Sequence, residues 1–421
     1  MKRNSSGWLR EYLEIRKNLI PNSLYDFNLH SSPLSEYSLY KVVQPTGLMY
    51  GQPVGSIIFR NSANWTEKSN LKVILAENLI NCSILLEYPI AKSSEENTVV
   101  ISKSLKSIIR FYNYLYPEIF TSGRTFLGIK RTPIEVAELI LTKRVKRNYD
   151  LFGNFWVEIF QNCLLFLDIY VFGQWIQKNQ EEIALDYYKY EKDELRISLI
   201  KIIAAAAHSN SVLEEEERHL IDVFINKSTL SKEQKQQSLD IFEKGIAIED
   251  IDLPVNSSWI LKKFFLEVAI LTTWSDRKFE PTEYDFINRL ASFLSIPQEE
   301  VEASLLAVEG FTLENWNHLD NLQDKVNYNN VGLDYIERLS KITEHRKTKI
   351  IGDLKQNKEV MELLNLKKTS QLSEGQEPIL EEKLFNILKK IPLLAILELP
   401  KRFLTLPNLL MVLPKEIYNG K

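Results

Sequence analysis

Two nine-residue segments, 66 residues apart, match at Ser209/Ser275, Asn210/Asp276, Leu213/Phe279, Glu214/Glu280 and Glu217/Glu283. The first is Ser209-Asn210-Ser211-Val212-Leu213-Glu214-Glu215-Glu216-Glu217. The second is Ser275-Asp276-Arg277-Lys278-Phe279-Glu280-Pro281-Thr282-Glu283. The register extends upstream through Leu199/Phe265 and Ile202/Val268, and downstream through Leu220/Phe286, Ile221/Ile287 and Phe224/Leu290, all at helical spacing. Each unit therefore reads as helix, polar turn, helix. A Ser-Asn or Ser-Asp pair closes the first helix through an Asx-type turn. Pro281 suits the first position of the next helix, which makes Glu280 its N-cap and Glu283 its third residue. Transferred by 66 residues, Glu217 takes the same third position, where a carboxylate favours the free N–H groups and the helix dipole.

The second feature is electrostatic. Residues 101–147 carry ten cations, Lys103, Lys106, Arg110, Arg124, Lys130, Arg131, Lys143, Arg144, Lys146 and Arg147, against Glu118, Glu135 and Glu138, a net +7. Such a stretch can meet an anionic membrane surface, RNA, an acidic partner or the acidic 211–252 block of the same chain. The whole chain is at −4, which argues against DNA binding.

Other chemistry is absent. His30, His208, His219, His318 and His345 lack metal-ligand spacing. No GxGxxG, P-loop, GxSxG or HExxH motif occurs. Cys82 and Cys163 form no framework. The expectation is a protein without enzymatic activity or a required cofactor, a divalent cation being the single candidate.

These residues need helices to position them. Glycine is scarce (14 of 421), 44% of residues are hydrophobic, and no convincing strand pattern appears, so the class is all-α and multi-domain. A first helix covers about 7–19, and 28–55, rich in Ser, Tyr and Pro, reads as irregular. Helices follow over 71–88 and 99–116. Thr132-Pro133-Ile134-Glu135 then starts a helix with Thr as N-cap and Glu at the third position. Residues 156–208 are helical with a break near 177–179, and Tyr187, Tyr188 and Tyr190 read as packing between helices. The stretch 326–364 reads as a long charged helix or hairpin, and 367–378 as a linker. Domains are expected at 1–190, 192–312, 320–366 and 379–421.

No secretory signal is read at the start, and no stretch has 18 uninterrupted apolar residues. The nearest are 157–176, interrupted by Asp168, and 391–414, interrupted by Glu398, Lys401 and Arg402. Each is read as a buried helix or an interfacial membrane contact. The expected location is cytoplasmic, with peripheral docking on the inner membrane.

The paired turns resemble those of the TerB-like (tellurite-resistance) helical domain, here over about 192–312. That resemblance implies that Asp276 and Glu283 are metal ligands, with Asn210 and Glu217 a degenerate copy. Asn210 stands where the family has Asp, and Arg277-Lys278 puts positive charge beside the turn. The tail is similar to the C-terminal part of the LETM-type domain. Ile391-Pro392, Pro400, Leu406-Pro407 and Pro414 match its proline spacing, while Lys401-Arg402 replaces its Gly-Gly. Together the two blocks resemble a bacterial LETM-related, biofilm-associated family. The resemblance implies membrane association, ion homeostasis and a ribosome-binding-like fold. The partners it implies are a membrane surface or a protein, with a ribosome- or RNA-associated role as the alternative. If the turns hold a cation, calcium titrated into the protein gives heat and raises the melting temperature. A silent titration with an unmoved melting temperature leaves capping as their role.

Overall fold

Thr132 and Glu135 form the capping box that their spacing predicts. The Thr132 N–H donates to Glu135 Oε2 (2.7 Å) and the Glu135 N–H to Thr132 Oγ1 (3.3 Å), satisfying two N–H groups that a helix start leaves open. The computed structural model describes residues 7–23, 36–55, 67–87, 94–124, 128–148, 155–178, 182–209, 222, 225–226, 230–253, 258–274, 281–323, 326–369 and 372–418. Among these the architecture is all-α, and the one β pairing is an isolated antiparallel bridge between Arg124 and Lys130. The chain divides into two compact units, Met1–Val268 and Ala269–Lys421. The division falls inside the 192–312 block.

The first unit contains α1 (Trp8–Ser23), α2 (Glu36–Val43), α3 (Glu67–Glu87), α4 (Ser94–Leu115), α5 (Pro133–Asn148), α6 (Phe155–Gln177), α7 (Glu182–Ala207), α8 (Lys232–Lys244) and most of α9 (Trp259–Thr273). Helix α6 is apolar on every side, a pattern that demands burial all round. It packs against α3, α7 and the turn Leu48–Tyr50, and α4 packs against α3 and α5. Ile159–Gln177 is long and apolar enough to cross a membrane, yet 83% of it is buried inside the unit.

In the middle of α6 lies Asp168, fully buried. Its Oδ2 accepts from Arg144 Nε on α5 (2.7 Å) and from the Tyr112 hydroxyl on α4 (3.1 Å), and its Oδ1 accepts from the Tyr116 hydroxyl. The Arg144 guanidinium and the Lys192 ammonium lie over the Tyr116 ring, 4.9 and 4.3 Å from its centroid. Arg144 is thus a core residue and leaves the surface set that its neighbours define.

The irregular reading of 28–55 is corrected over 36–55. There α2 leads into tight turns at Gln44–Thr46 and Leu48–Tyr50, each closed by a left-handed glycine, Gly47 (φ 75) and Gly51 (φ 67). The reason is a second buried carboxylate, Glu267 on α9. Tyr40 donates its hydroxyl to Oε1 (2.8 Å) and Tyr50 to Oε2 (2.9 Å), with Lys263 Nζ 3.6 Å from Oε1. Residues 28–35 lie outside the described residues.

In the second unit, α10 (Pro281–Phe293) begins at the expected proline, so Glu283 is its third residue. Helix α11 (Gln298–Asn315) is buried from Val301 to Leu313 except at Glu302. The stretch read as one long helix or hairpin is three helices, α12 (Tyr328–His345), α13 (Lys347–Gln356) and α14 (Lys358–Thr369). They break at Arg346 and Asn357 because Val331, Tyr335, Leu339, Ile350, Leu354 and Val360 all reach the core. Helices α15 (Gln376–Leu388), α16 (Pro392–Ile396) and α17 (Leu406–Val412) follow, and four-residue helices at Asp320–Gln323 and Lys415–Tyr418 complete the described part of the unit.

Asp168→Ala leaves Arg144 buried without its carboxylate, which costs about 3–5 kcal/mol. Urea unfolding followed by near-ultraviolet circular dichroism checks this, and a loss below about 1 kcal/mol contradicts the pairing.

Candidate functional site

The cations of 101–147 are positioned by α4, α5 and the segment between them. Lys103, Lys106 and Arg110 follow helical spacing down the exposed side of α4, and Tyr114 continues that line. The chain then turns through Pro117–Ile119 and reaches the Arg124–Lys130 bridge. Arg131 holds this segment closed: its N–H donates to Gly123 O (2.8 Å), and its guanidinium donates to Ser122 O and Arg124 O (both 2.9 Å). Lys143 reaches across from α5 to Phe120 O (3.1 Å) and Thr121 Oγ1 (3.0 Å).

This scaffold presents two large apolar side chains to solvent, Phe120 (58% exposed) and Ile129 (62% exposed). Arg124, Lys130 and Lys143 stand beside them and are exposed, as are Lys103, Lys106, Arg110 and Lys146. Arg131 is half-buried, and the Arg147 side chain lies outside the described residues. Of the three acids, Glu138 is turned inward and accepts from the N–H groups of Gly7 (2.6 Å) and Leu9 (2.9 Å), capping α1. Glu135 is held by Thr132, whose hydrogen bonds keep its carboxyl below the usual range. The edge therefore combines exposed rings and aliphatic groups with a surplus of positive charge.

The other sequence candidates take different places. Asn210, Glu217 and Asp276 lie outside the described residues. Glu283 is fully buried in the first turn of α10. Among the described residues no group of three or more His, Cys, Asp or Glu side chains is arranged to hold a metal. In the tail, Ile391, Pro400, Leu406 and Pro414 are buried, while Pro392 and Pro407 are exposed at the starts of α16 and α17. The tail is fastened to its own unit. The Leu406 N–H donates to Glu381 Oε1 (2.6 Å), the Arg402 N–H to Glu314 Oε2 (2.9 Å), and the Thr343 hydroxyl to Val412 O. Phe403 covers Gly332 so closely that a Cβ there would lie 2.8 Å from its ring.

The sequence reading missed the buried carboxylates Glu191, Glu267 and Glu309. A single acid inside an apolar helical run, as in Phe264-Phe265-Leu266-Glu267-Val268, is the signal that could have found Glu267. Of the three tyrosines expected between helices, Tyr188 is buried, whereas Tyr187 and Tyr190 are exposed.

No family model and no solved structure matches the chain. The co-chaperone protein DjlA of Vibrio cholerae serotype O1 is similar to part of it, with 23% identity over 122 residues. The alignment covers 27% of this chain and 43% of that protein, so the chain spans less than half the length of the relative.

Burial pushes the Glu267 carboxyl up to about 7, against the lowering effect of Lys263 and the two tyrosines. A raised carboxyl means that the folded protein holds the proton more tightly than the unfolded chain. The stabilisation is complete below the ordinary 4.5 and is lost as pH rises through about 7. Replacing Glu267 by Gln should therefore flatten the fall of unfolding free energy over that window by about 3 kcal/mol. Urea titrations of both proteins across the window read the difference, and parallel pH profiles would contradict the assignment.

Proposed function

We propose that the protein is a non-enzymatic, membrane-peripheral scaffold whose first unit docks on an anionic lipid surface through the α4–α5 edge. The observation that carries this reading is the pairing of exposed Phe120 and Ile129 with Arg124, Lys130 and Lys143 at one tip. Apolar side chains set among cations suit the boundary between lipid headgroups and acyl chains. The basic side chains add about 1 kcal/mol each near an anionic leaflet. RNA binding would use the cations and stack a base on Phe120, but it gives no role to the exposed Ile129.

The likeness to a co-chaperone supports a partner-binding rather than a catalytic role for the aligned stretch. The TerB-like resemblance of the paired turns adds response to a divalent cation as part of the same proposal. The LETM-type resemblance of the tail agrees with work at a membrane. The tail's apolar residues are largely spent on their own unit, so the anchor is assigned to the first unit and not to the tail.

Vesicle co-sedimentation tests the reading. Full-length protein should pellet with phosphatidylserine-containing vesicles and not with phosphatidylcholine alone. Lys103→Glu, Lys106→Glu and Lys130→Glu together should weaken binding at least a hundredfold, at about 1 kcal/mol per lost cation. Phe120→Ser should abolish the fraction that survives high salt. Equal binding to both vesicle types contradicts the reading. Absence of vesicle binding with salt-sensitive co-sedimentation with ribosomes replaces it by the RNA alternative.

A further inference from the structure

A cleft of about 280 Å³ opens in the first unit, away from the α4–α5 edge in sequence, between α2, the C-terminal end of α6, α7 and the start of α9. Its wall includes Glu36, Tyr170, Gln174, Lys178, Tyr187 and Glu191. Several of these groups are already engaged. Glu36 Oε2 accepts from the Ile260 N–H (3.1 Å), capping α9, and Gln174 donates to the Tyr170 hydroxyl. Glu191 differs. Only 7% of it is exposed, and its Oε2 has no hydrogen-bond partner. A carboxylate oxygen taken out of water and left unpaired costs several kcal/mol unless something satisfies it.

The neighbouring ring indicates what would satisfy it. Tyr187 lies one helical turn before Glu191 on α7 and is half exposed, and the Lys178 ammonium sits 5.7 Å from its centroid. That ring already attracts a cation, as aromatic faces do. Lys178 itself is exposed and stands on the turn that follows α6.

We propose that this cleft binds a small molecule bearing a primary ammonium group, which pairs with Glu191 and packs against Tyr187. Two sources share that chemistry: free aliphatic amines, and amino acids whose carboxylate reaches Lys178. The volume admits either, being at the small end of ligand pockets. Groups around Glu191 are Tyr170 and Gln174 from α6, Lys178 from the turn after it, Tyr187 and Tyr188 from α7, and Glu36 from α2. Burial lifts the Glu191 carboxyl to about 7, with Lys178 opposing. An ammonium ligand must meet its ionised form, so binding tightens from pH 6 to pH 8.

Calorimetry on the full chain, with putrescine, lysine and β-alanine as probes and N-acetyl-β-alanine as the control without an ammonium, tests this. At least one probe should bind at pH 8, more weakly at pH 6, while the control gives no heat. Glu191→Gln should weaken binding at least about tenfold. Tyr187→Ala, at a half-exposed position where folding is safe, should weaken it as well. Putrescine binding identifies the amine source, and binding by the amino acids alone identifies the zwitterion held by Lys178. Silence from all three probes, or affinity unchanged in both variants, overturns the proposal.

Discussion

An aspartate in the middle of an apolar helix must be neutralised where it is buried, and the first unit is organised around that requirement. Asp168 cannot reach water from the centre of α6. An isolated buried carboxylate would cost more than a domain's whole stability margin. The chain answers with Arg144 from α5 and two phenols from the end of α4. Those bonds fix the register of α4 and α5 on α6. The outward sides of α4 and α5 then carry Lys103, Lys106, Arg110, Lys143 and Lys146, and the segment between them carries Arg124, Lys130, Phe120 and Ile129. The proposed lipid-facing edge is thus the outer side of a core ion pair.

Glu267 imposes the same logic on a segment of low helical promise. The hydroxyls of Tyr40 and Tyr50 must both reach one carboxylate. The chain turns sharply at Gly47 and Gly51 to bring them there. In the second unit steric fit works beside charge, where Arg338 donates to the buried Glu309 Oε1 (2.9 Å). Gly332 leaves room for the Phe403 ring and Gly310 for Pro400, which lets the proline-punctuated tail lie against α11 and α12. The positive charge of Lys401-Arg402 accordingly points outward, with the Arg402 backbone held by Glu314.

Local chemistry was legible in the sequence. The helical class, the Thr132–Glu135 capping box and the start of α10 at Pro281 depend on residues within one turn of each other. Long-range pairing was not. Arg144 shares a basic run with Lys143 and Lys146, yet one residue along a helix rotates a side chain by about 100°, enough to send Arg144 into the core while Lys143 and Lys146 stay outside. Its partner Asp168 is 24 residues away on another helix. Tyr50 and Glu267 are 217 residues apart, and no local pattern announces that bond. The proposed lipid-facing edge was half legible. Composition displayed the charge, but the exposure of Phe120 and Ile129 follows from how Arg131 and Lys143 tie the turn.

The central claim is that this edge, and not the apolar helix α6, meets the membrane. Hydrogen–deuterium exchange of full-length protein with and without phosphatidylserine vesicles tests it directly. Vesicles should slow exchange in peptides spanning 117–132 while peptides from α6 exchange as they do in solution. Unchanged exchange at 117–132, or a vesicle-dependent change centred on α6, would contradict it.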